Sequence, residues 1–264
     1  MAAASKIRGT REWAVANIDC CTGCSHGCRY CYARYDAVVK NKTVSGADWE
    51  NPVVRPEDVK RDFPCYAGQV MFPTTHDILP SNLDACASVI EGLVASGNRV
   101  LVVSKPHIDC IKYLCHHFEK DREQILFRFT ITAIDNTILR FWEPSAPCYE
   151  ERKECLQHAF AMRYQTSVSI EPMLDTENVV QLVEELVPWV THSLWLGKMN
   201  KVESRVVCDS KEMELEMQRI CEGQTTARIV QIYQQLKDNP LVCWKESIKE
   251  VMGLKLATEK GLDI

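Results

Sequence analysis

Strand-like runs alternating with amphipathic helices predict an α/β fold for this chain, and two further observations sharpen that reading. The strands set an apolar face against a polar one, and 264 residues, 46% of them hydrophobic, are enough to build the core of one large domain.

The strand-like runs lie at 13–18, 69–72, 99–104, 125–133, 165–170 and 193–196. The segments between them carry apolar residues at helical spacing. Leu83, Cys86, Ala87, Ile90 and Val94 share one face; so do Ile108, Ile111, Cys115 and Phe118, and so do Val179, Leu182, Val183 and Leu186. Strand then helix, about six times over, implies a parallel sheet with its helices outside. An open doubly wound sheet and a closed or partial barrel both satisfy that order. In "FRFTITA", Arg128, Thr130 and Thr132 oppose Phe127, Phe129 and Ile131; in "TSVSIE", Ser167, Ser169 and Glu171 oppose Val168 and Ile170. A polar face enclosed by a curved sheet predicts a ligand cavity, which α/β architectures place at the C-terminal strand ends. The expectation is therefore a partial (β/α)6 barrel. From about Val202 the rhythm weakens into charged helical stretches at 211–221 and 227–237 and the short run "LVCW". No linker-like or repeated segment separates them, so a core over 12–200 with a C-terminal helical elaboration over 201–264 packed on it is expected.

Charge and cysteine usage narrow the function classes. A formal net charge of −5 and a pI near 5.9 weigh against a protein that grips many phosphates through its whole surface. The N-terminal "MAAASKIRGTREW" has no apolar signal-like core and no run of apolar residues is long enough to cross a membrane. A cytoplasmic protein with reduced thiols is expected. Of its 14 cysteines, most are scattered without the spacing of a secreted disulfide framework.

The exception is "TGCSHGCRYCYAR", residues 22–34, which sets Cys24, Cys28 and Cys31 in a Cys-x3-Cys-x2-Cys pattern right after the first strand. A structural zinc site needs four ligands in two separated knuckles, and this segment leaves too little chain between them. Thiolates at such close spacing suit an iron–sulfur cluster better, and three protein ligands leave one iron of a cubane open. A non-enzymatic zinc or iron–sulfur module is the competing reading. Cys208, Cys221 and Cys243 lack ligand spacing, so one cluster is expected, with Cys20 and Cys21 as bystanders.

Cys24, Cys28, Tyr30 and Cys31 match the CxxxCx(aromatic)C signature of the radical S-adenosylmethionine (SAM) superfamily, which the chain resembles. Within it, "GCSHGCRYCYAR", "TTHDILPSNLDACASVIEGLVASGNRVLVVSKP", "LFRFTIT" and "EPSAPCYEERKECL" are similar to the spore photoproduct lyase-like branch. The resemblance implies a partial barrel of the radical SAM type, a [4Fe-4S] cluster on Cys24, Cys28 and Cys31, and SAM chelating the open iron. One electron would then cleave SAM to a 5′-deoxyadenosyl radical that takes hydrogen from a substrate. The sequence departs from that branch at Thr74, which stands where the lyase has its hydrogen-donating cysteine.

By the same resemblance, Lys105 and Ser104 lie where a side chain can hold the SAM carboxylate, and His76 and Asp77 where the methionyl group is contacted. The Tyr30 backbone is expected near the adenine, and Thr130 and Thr132 are candidates to bond SAM from the inner face. Glu171 and Lys198, at strand ends, are candidates for ribose or substrate, Glu171 and Tyr32 being the catalytic candidates. The bland alternatives are a solvated lysine, plain strand propensity for the threonines, a shielding aromatic at Tyr32, and Asp77 as a helix cap. A small reductant protein such as flavodoxin or ferredoxin and an unidentified substrate are the implied partners; nucleic acid is a weaker one.

Overall fold

Seven parallel strands curl into a half-barrel whose apolar outer face carries the helices. The computed structural model describes residues 7–262. Strands β1 (Ala16–Asn17), β2 (Cys21–Thr22), β3 (Val53–Val54), β4 (Val70–Phe72), β5 (Val100–Ser104), β6 (Ile125–Thr130), β7 (Gln165–Ile170), β8 (Ser193–Leu196) and β9 (Val242–Trp244) form two sheets. The large one has the order β1-β4-β5-β6-β7-β8-β9; β2 and β3 form a small antiparallel pair beside it.

Alternation decides which side chains meet the helices. Phe127, Phe129, Val168, Ile170, Leu194 and Leu196 face outward into the main core. There they meet the buried stripes of helices Leu83–Ala95, Tyr149–Ala161 and Val179–Leu186. The expected helical faces are the observed ones, with Leu83 and Ile108 only partly buried at their edges.

The inner face is more mixed than the polar lining anticipated from β6 and β7. Trp13 and Trp195 pack edge to face at 5.7 Å, beside Met71, Leu101, Val103 and Leu126. The buried Arg128 guanidinium lies 4.6 Å from the Trp13 ring and donates to Ser167 Oγ at 2.8 Å and Ser193 Oγ at 3.1 Å. This plug fills part of the half-barrel interior, and Trp13, Met71 and Val103 within it also line the cavity.

Two expectations change. The first strand shortens from 13–18 to Ala16–Asn17, because Trp13 turns into the plug instead of continuing the ladder. The segment "LVCW", counted with the helical elaboration, contributes β9, which pairs with β8 through Leu194–Val242, Trp195–Cys243 and Leu196–Trp244. A three-residue strand carries too little alternation to be read from sequence. Its addition brings Lys245, at the end of β9, into the barrel interior.

Candidate active site

A cavity of about 660 Å³ opens at the C-terminal ends of the strands. The motif loop reaches it from β2, and its cysteines Cys24, Cys28 and Cys31 all line it. Local backbone chemistry aims the loop. Gly23 has φ +94°, and a side chain there would place its first carbon 2.5 Å from the Trp49 carbonyl oxygen, which accepts the Cys24 amide at 2.8 Å. After Cys31, whose sulfur caps the next turn by accepting the Arg34 amide, the chain enters a short helix.

Asp77, at the end of the segment after β4, organises the wall beside the cysteines. It accepts from Ser104 Oγ at 2.9 Å, from the Lys105 amide at 2.8 Å and from His26 Nδ1 at 2.8 Å, and the Lys105 ammonium lies 3.7 Å away. Burial pushes the Asp77 carboxyl upward, but Lys105 and then His26 outweigh it and hold it well below the ordinary carboxylate range. Burial likewise pushes the Lys105 ammonium down, and Asp77 more than reverses that. Both are therefore charged. Asp77 does not cap the following helix: its backbone carbonyl accepts from Asn82, while its side chain is committed to the site.

A second buried pair stands behind the motif. Glu143 and Arg152, both fully buried, lie 2.5 Å apart; Glu143 also accepts from the Tyr30 hydroxyl and from Thr132 Oγ1 at 3.0 Å. Burial would raise the Glu143 carboxyl, but Arg152 holds it below its usual value. Tyr30 is thus fixed at the cavity wall, with Lys105 Nζ 5.8 Å from its ring centre.

The donor set suits the group that its spacing implies. Burial pushes the Cys24 thiol up to about 12, Asp77 adding to it, and raises Cys28 and Cys31 as well. Free thiols in this pocket hold their protons, and only a bound cation makes them thiolates. Cys24, His26 and Asp77 also come within 4.8 Å of one another. His26 and Asp77, however, are bonded to each other, and His26 Nε2 pairs with His107 Nε2 at 2.9 Å. The cysteines are held only by long sulfur contacts, Cys24 to Asp77 at 3.9 Å and Cys31 from the Arg34 amide at 3.4 Å. Three such thiols on one wall fit an iron–sulfur cluster.

No family model and no curated protein matches the chain. Solved structures do. A double mutant of spore photoproduct lyase with bound AdoMet and dinucleoside spore photoproduct aligns with TM-score 0.57 and 14% identity, over 86% of this chain and 75% of that one. SuiB of Streptococcus suis bound to S-adenosylmethionine aligns with TM-score 0.56 and 8% identity, over 94% of this chain and 54% of that one. The chain spans about half of SuiB's length. Its fold is that of the radical SAM enzymes.

Within that radical SAM fold, the structure brings most of the sequence-selected residues to one cavity and leaves two aside. Tyr30, Tyr32, Asp77, Lys105, Thr130, and beyond them Glu171 and Lys198, line it. Ser104 is buried and spent on Asp77; Thr132 is buried and spent on Glu143. His76 reaches the cavity wall, but its Nδ1 faces the Asp77 carbonyl at 3.1 Å and its Nε2 the Cys20 amide at 3.2 Å. The Tyr32 hydroxyl donates to the Thr74 carbonyl at 2.7 Å, linking the motif helix to the end of β4. Burial raises the Glu171 carboxyl, with Lys245, 3.7 Å away, pulling the other way.

His26, His107, Glu143, Arg152 and Lys245 also shape the site, and the sequence reading did not select them. His26 sits inside the cysteine motif, which was a usable signal. The others gave none, since an ion pair across nine residues of loop and helix start, or a lysine after a three-residue strand, has no local pattern.

Proposed function

We propose that the chain is a radical SAM enzyme that holds a [4Fe-4S] cluster on Cys24, Cys28 and Cys31 and binds SAM in the adjoining cavity. The observation that carries the reading is the convergence of those three cysteines with Lys105, Tyr30 and Glu171 on one cavity at the C-terminal strand ends. When bound, the cluster supplies one electron that cleaves SAM reductively to a 5′-deoxyadenosyl radical, which removes hydrogen from the substrate.

The chain's own residues bind and orient. Lys105, kept charged by Asp77, offers an ammonium to a carboxylate in the cavity. Tyr30, pinned by Glu143, walls the cavity beside the motif cysteines. Thr130 and Ser169 present hydroxyls from the inner strand face, and Glu171 offers a carboxyl group for hydrogen bonding to the substrate. The reductant is a small electron-transfer protein of the flavodoxin or ferredoxin kind. Among the described residues no helix is long and apolar enough to cross a membrane.

The test is anaerobic reconstitution, with iron and sulfide analysis, followed by dithionite and SAM. About four irons per chain and 5′-deoxyadenosine formation, lost in Cys28→Ala, are expected. About eight irons per chain, or no 5′-deoxyadenosine from fully loaded protein, would overturn the reading.

A further inference from the structure

A second set of soft donors lies behind the cavity, on residues that the cluster motif does not use. Cys20, Cys21 and Cys86 are almost wholly buried, and the His76 side chain has no exposure. Cys20 Sγ lies 3.8 Å from Cys21 Sγ, 3.9 Å from Cys86 Sγ and 3.9 Å from His76 Nε2. The ligand atoms of Cys20, Cys21 and His76 all fall within 4.8 Å of one another. A tetrahedral zinc ion with Zn–S bonds of about 2.3 Å holds its sulfurs about 3.8 Å apart. We propose that Cys20, Cys21 and His76, joined by Cys86, whose Sγ lies within reach of Cys20 Sγ, form a structural site for a soft divalent cation of the zinc type.

The surrounding groups are those such a site needs. His76 Nδ1 faces the Asp77 carbonyl at 3.1 Å, and a carbonyl only accepts, so the proton sits on Nδ1 and Nε2 carries the lone pair. Asn82 donates its amide N–H to Cys21 Sγ at 3.6 Å and accepts from Cys86 Sγ at 3.4 Å with its oxygen. Three thiolates and a neutral imidazole on a divalent ion leave one negative charge, and the Asn82 N–H is placed to share it. The metal displaces two contacts: the Cys20 amide, 3.2 Å from Nε2, gives up that lone pair, and Cys86, on losing its thiol proton to become a ligand, gives up its bond to the Asn82 oxygen. Asp19, 3.9 Å from the same nitrogen, is engaged by the Thr74 and Thr75 amides at 2.7 and 2.6 Å.

The site ties three parts of the chain together. Cys20 and Cys21 enter β2 just before the cluster loop, His76 follows β4, and Cys86 is in the first turns of helix Leu83–Ala95. A metal there holds the base of the cluster loop against the sheet and the first helix, and stands independently of what the loop itself binds.

The experiment uses the full chain carrying Cys24→Ala, Cys28→Ala and Cys31→Ala, which removes the other thiol group. Purified with zinc and checked for fold by circular dichroism, it is expected to hold one zinc per chain. Replacement by cobalt(II) should give thiolate charge-transfer bands and the intense visible bands of tetrahedral cobalt, both abolished by a further Cys86→Ser. In the unsubstituted, cluster-loaded protein, X-ray absorption at the zinc edge, which iron does not obscure, should report three sulfur neighbours and one nitrogen. A folded triple variant without stoichiometric zinc, cobalt spectra unchanged by Cys86→Ser, or a zinc shell of nitrogen and oxygen only would each overturn the proposal.

Discussion

At the residue scale, Lys105 and Glu143 carry the two sharpest expectations. Lys105 is partly buried, charged and one side chain away from the motif tyrosine. Its predicted partner is the SAM carboxylate and not iron. Lys105→Ala should weaken SAM binding at least about tenfold, the worth of one charge-assisted hydrogen bond, while iron content stays unchanged. Equilibrium dialysis with SAM on reconstituted protein measures the first and iron analysis the second; unaltered SAM affinity removes Lys105 from the site. Arg152 and Glu143 make a buried pair with no exposure on either side. Arg152→Met leaves a buried carboxylate uncompensated and should cost about 3–5 kcal/mol in urea unfolding. The Glu143 carboxyl is held below its ordinary value, so the stability it contributes is full above the ordinary carboxylate range and is lost as pH falls through its folded pKa. The stability advantage of the natural chain over Glu143→Gln should therefore shrink on acidification below the ordinary Glu range. An advantage that grows toward acid pH would contradict that assignment.

At the scale of elements, the cluster loop depends on a backbone conformation that only glycine takes cheaply. Gly23 combines φ +94° with so close an approach to the Trp49 carbonyl oxygen that an added Cβ would lie 2.5 Å from it. Gly23→Ala should push the loop off that carbonyl, loosen the Cys24 amide bond and lower the iron incorporated on reconstitution, with the helical circular dichroism retained. Full iron loading in this variant would show that the loop does not need this anchor. The same scale explains why β9 has no signature in the sequence. Its three residues have burial without a readable alternation, and only the open edge of β8 turns them into a strand. Lys245 follows from β9: it sits 4.2 Å over the Trp13 ring and 2.6 Å from Glu12, joining the two ends of the chain.

At the scale of the whole molecule, the fold is shared with a photoproduct lyase, and the cavity argues for a different substrate. The cysteines lining it are Cys24, Cys28 and Cys31, all three claimed by the proposed cluster; Cys65 and Cys148 are exposed and lie outside its lining. Thr74, which does line it, has an O–H bond too strong to quench a substrate radical by giving up hydrogen. Reduced, loaded protein given SAM and a synthetic dinucleoside spore photoproduct should release no thymidine. Catalytic release, followed by chromatography, would overturn this.

The sequence by itself determined the parts of this protein that are written locally. Alternation of period two and period 3.6 settled the parallel α/β order, the outward Phe127, Phe129, Val168 and Ile170, and the helical stripes, because burial acts on each strand or helix through its nearest neighbours in sequence. The Cys24, Cys28, Cys31 spacing was legible for the same reason: one loop carries all three donors. What joins distant segments was decided only by the tertiary structure. The plug of Trp13, Arg128 and Trp195, the Glu143–Arg152 pair behind Tyr30, the Asp77–His26–His107 chain and the gathering of Cys20, Cys21, Cys86 and His76 each depend on strand curvature and helix placement. Such contacts are set by packing between segments far apart in the chain, and no local period records them.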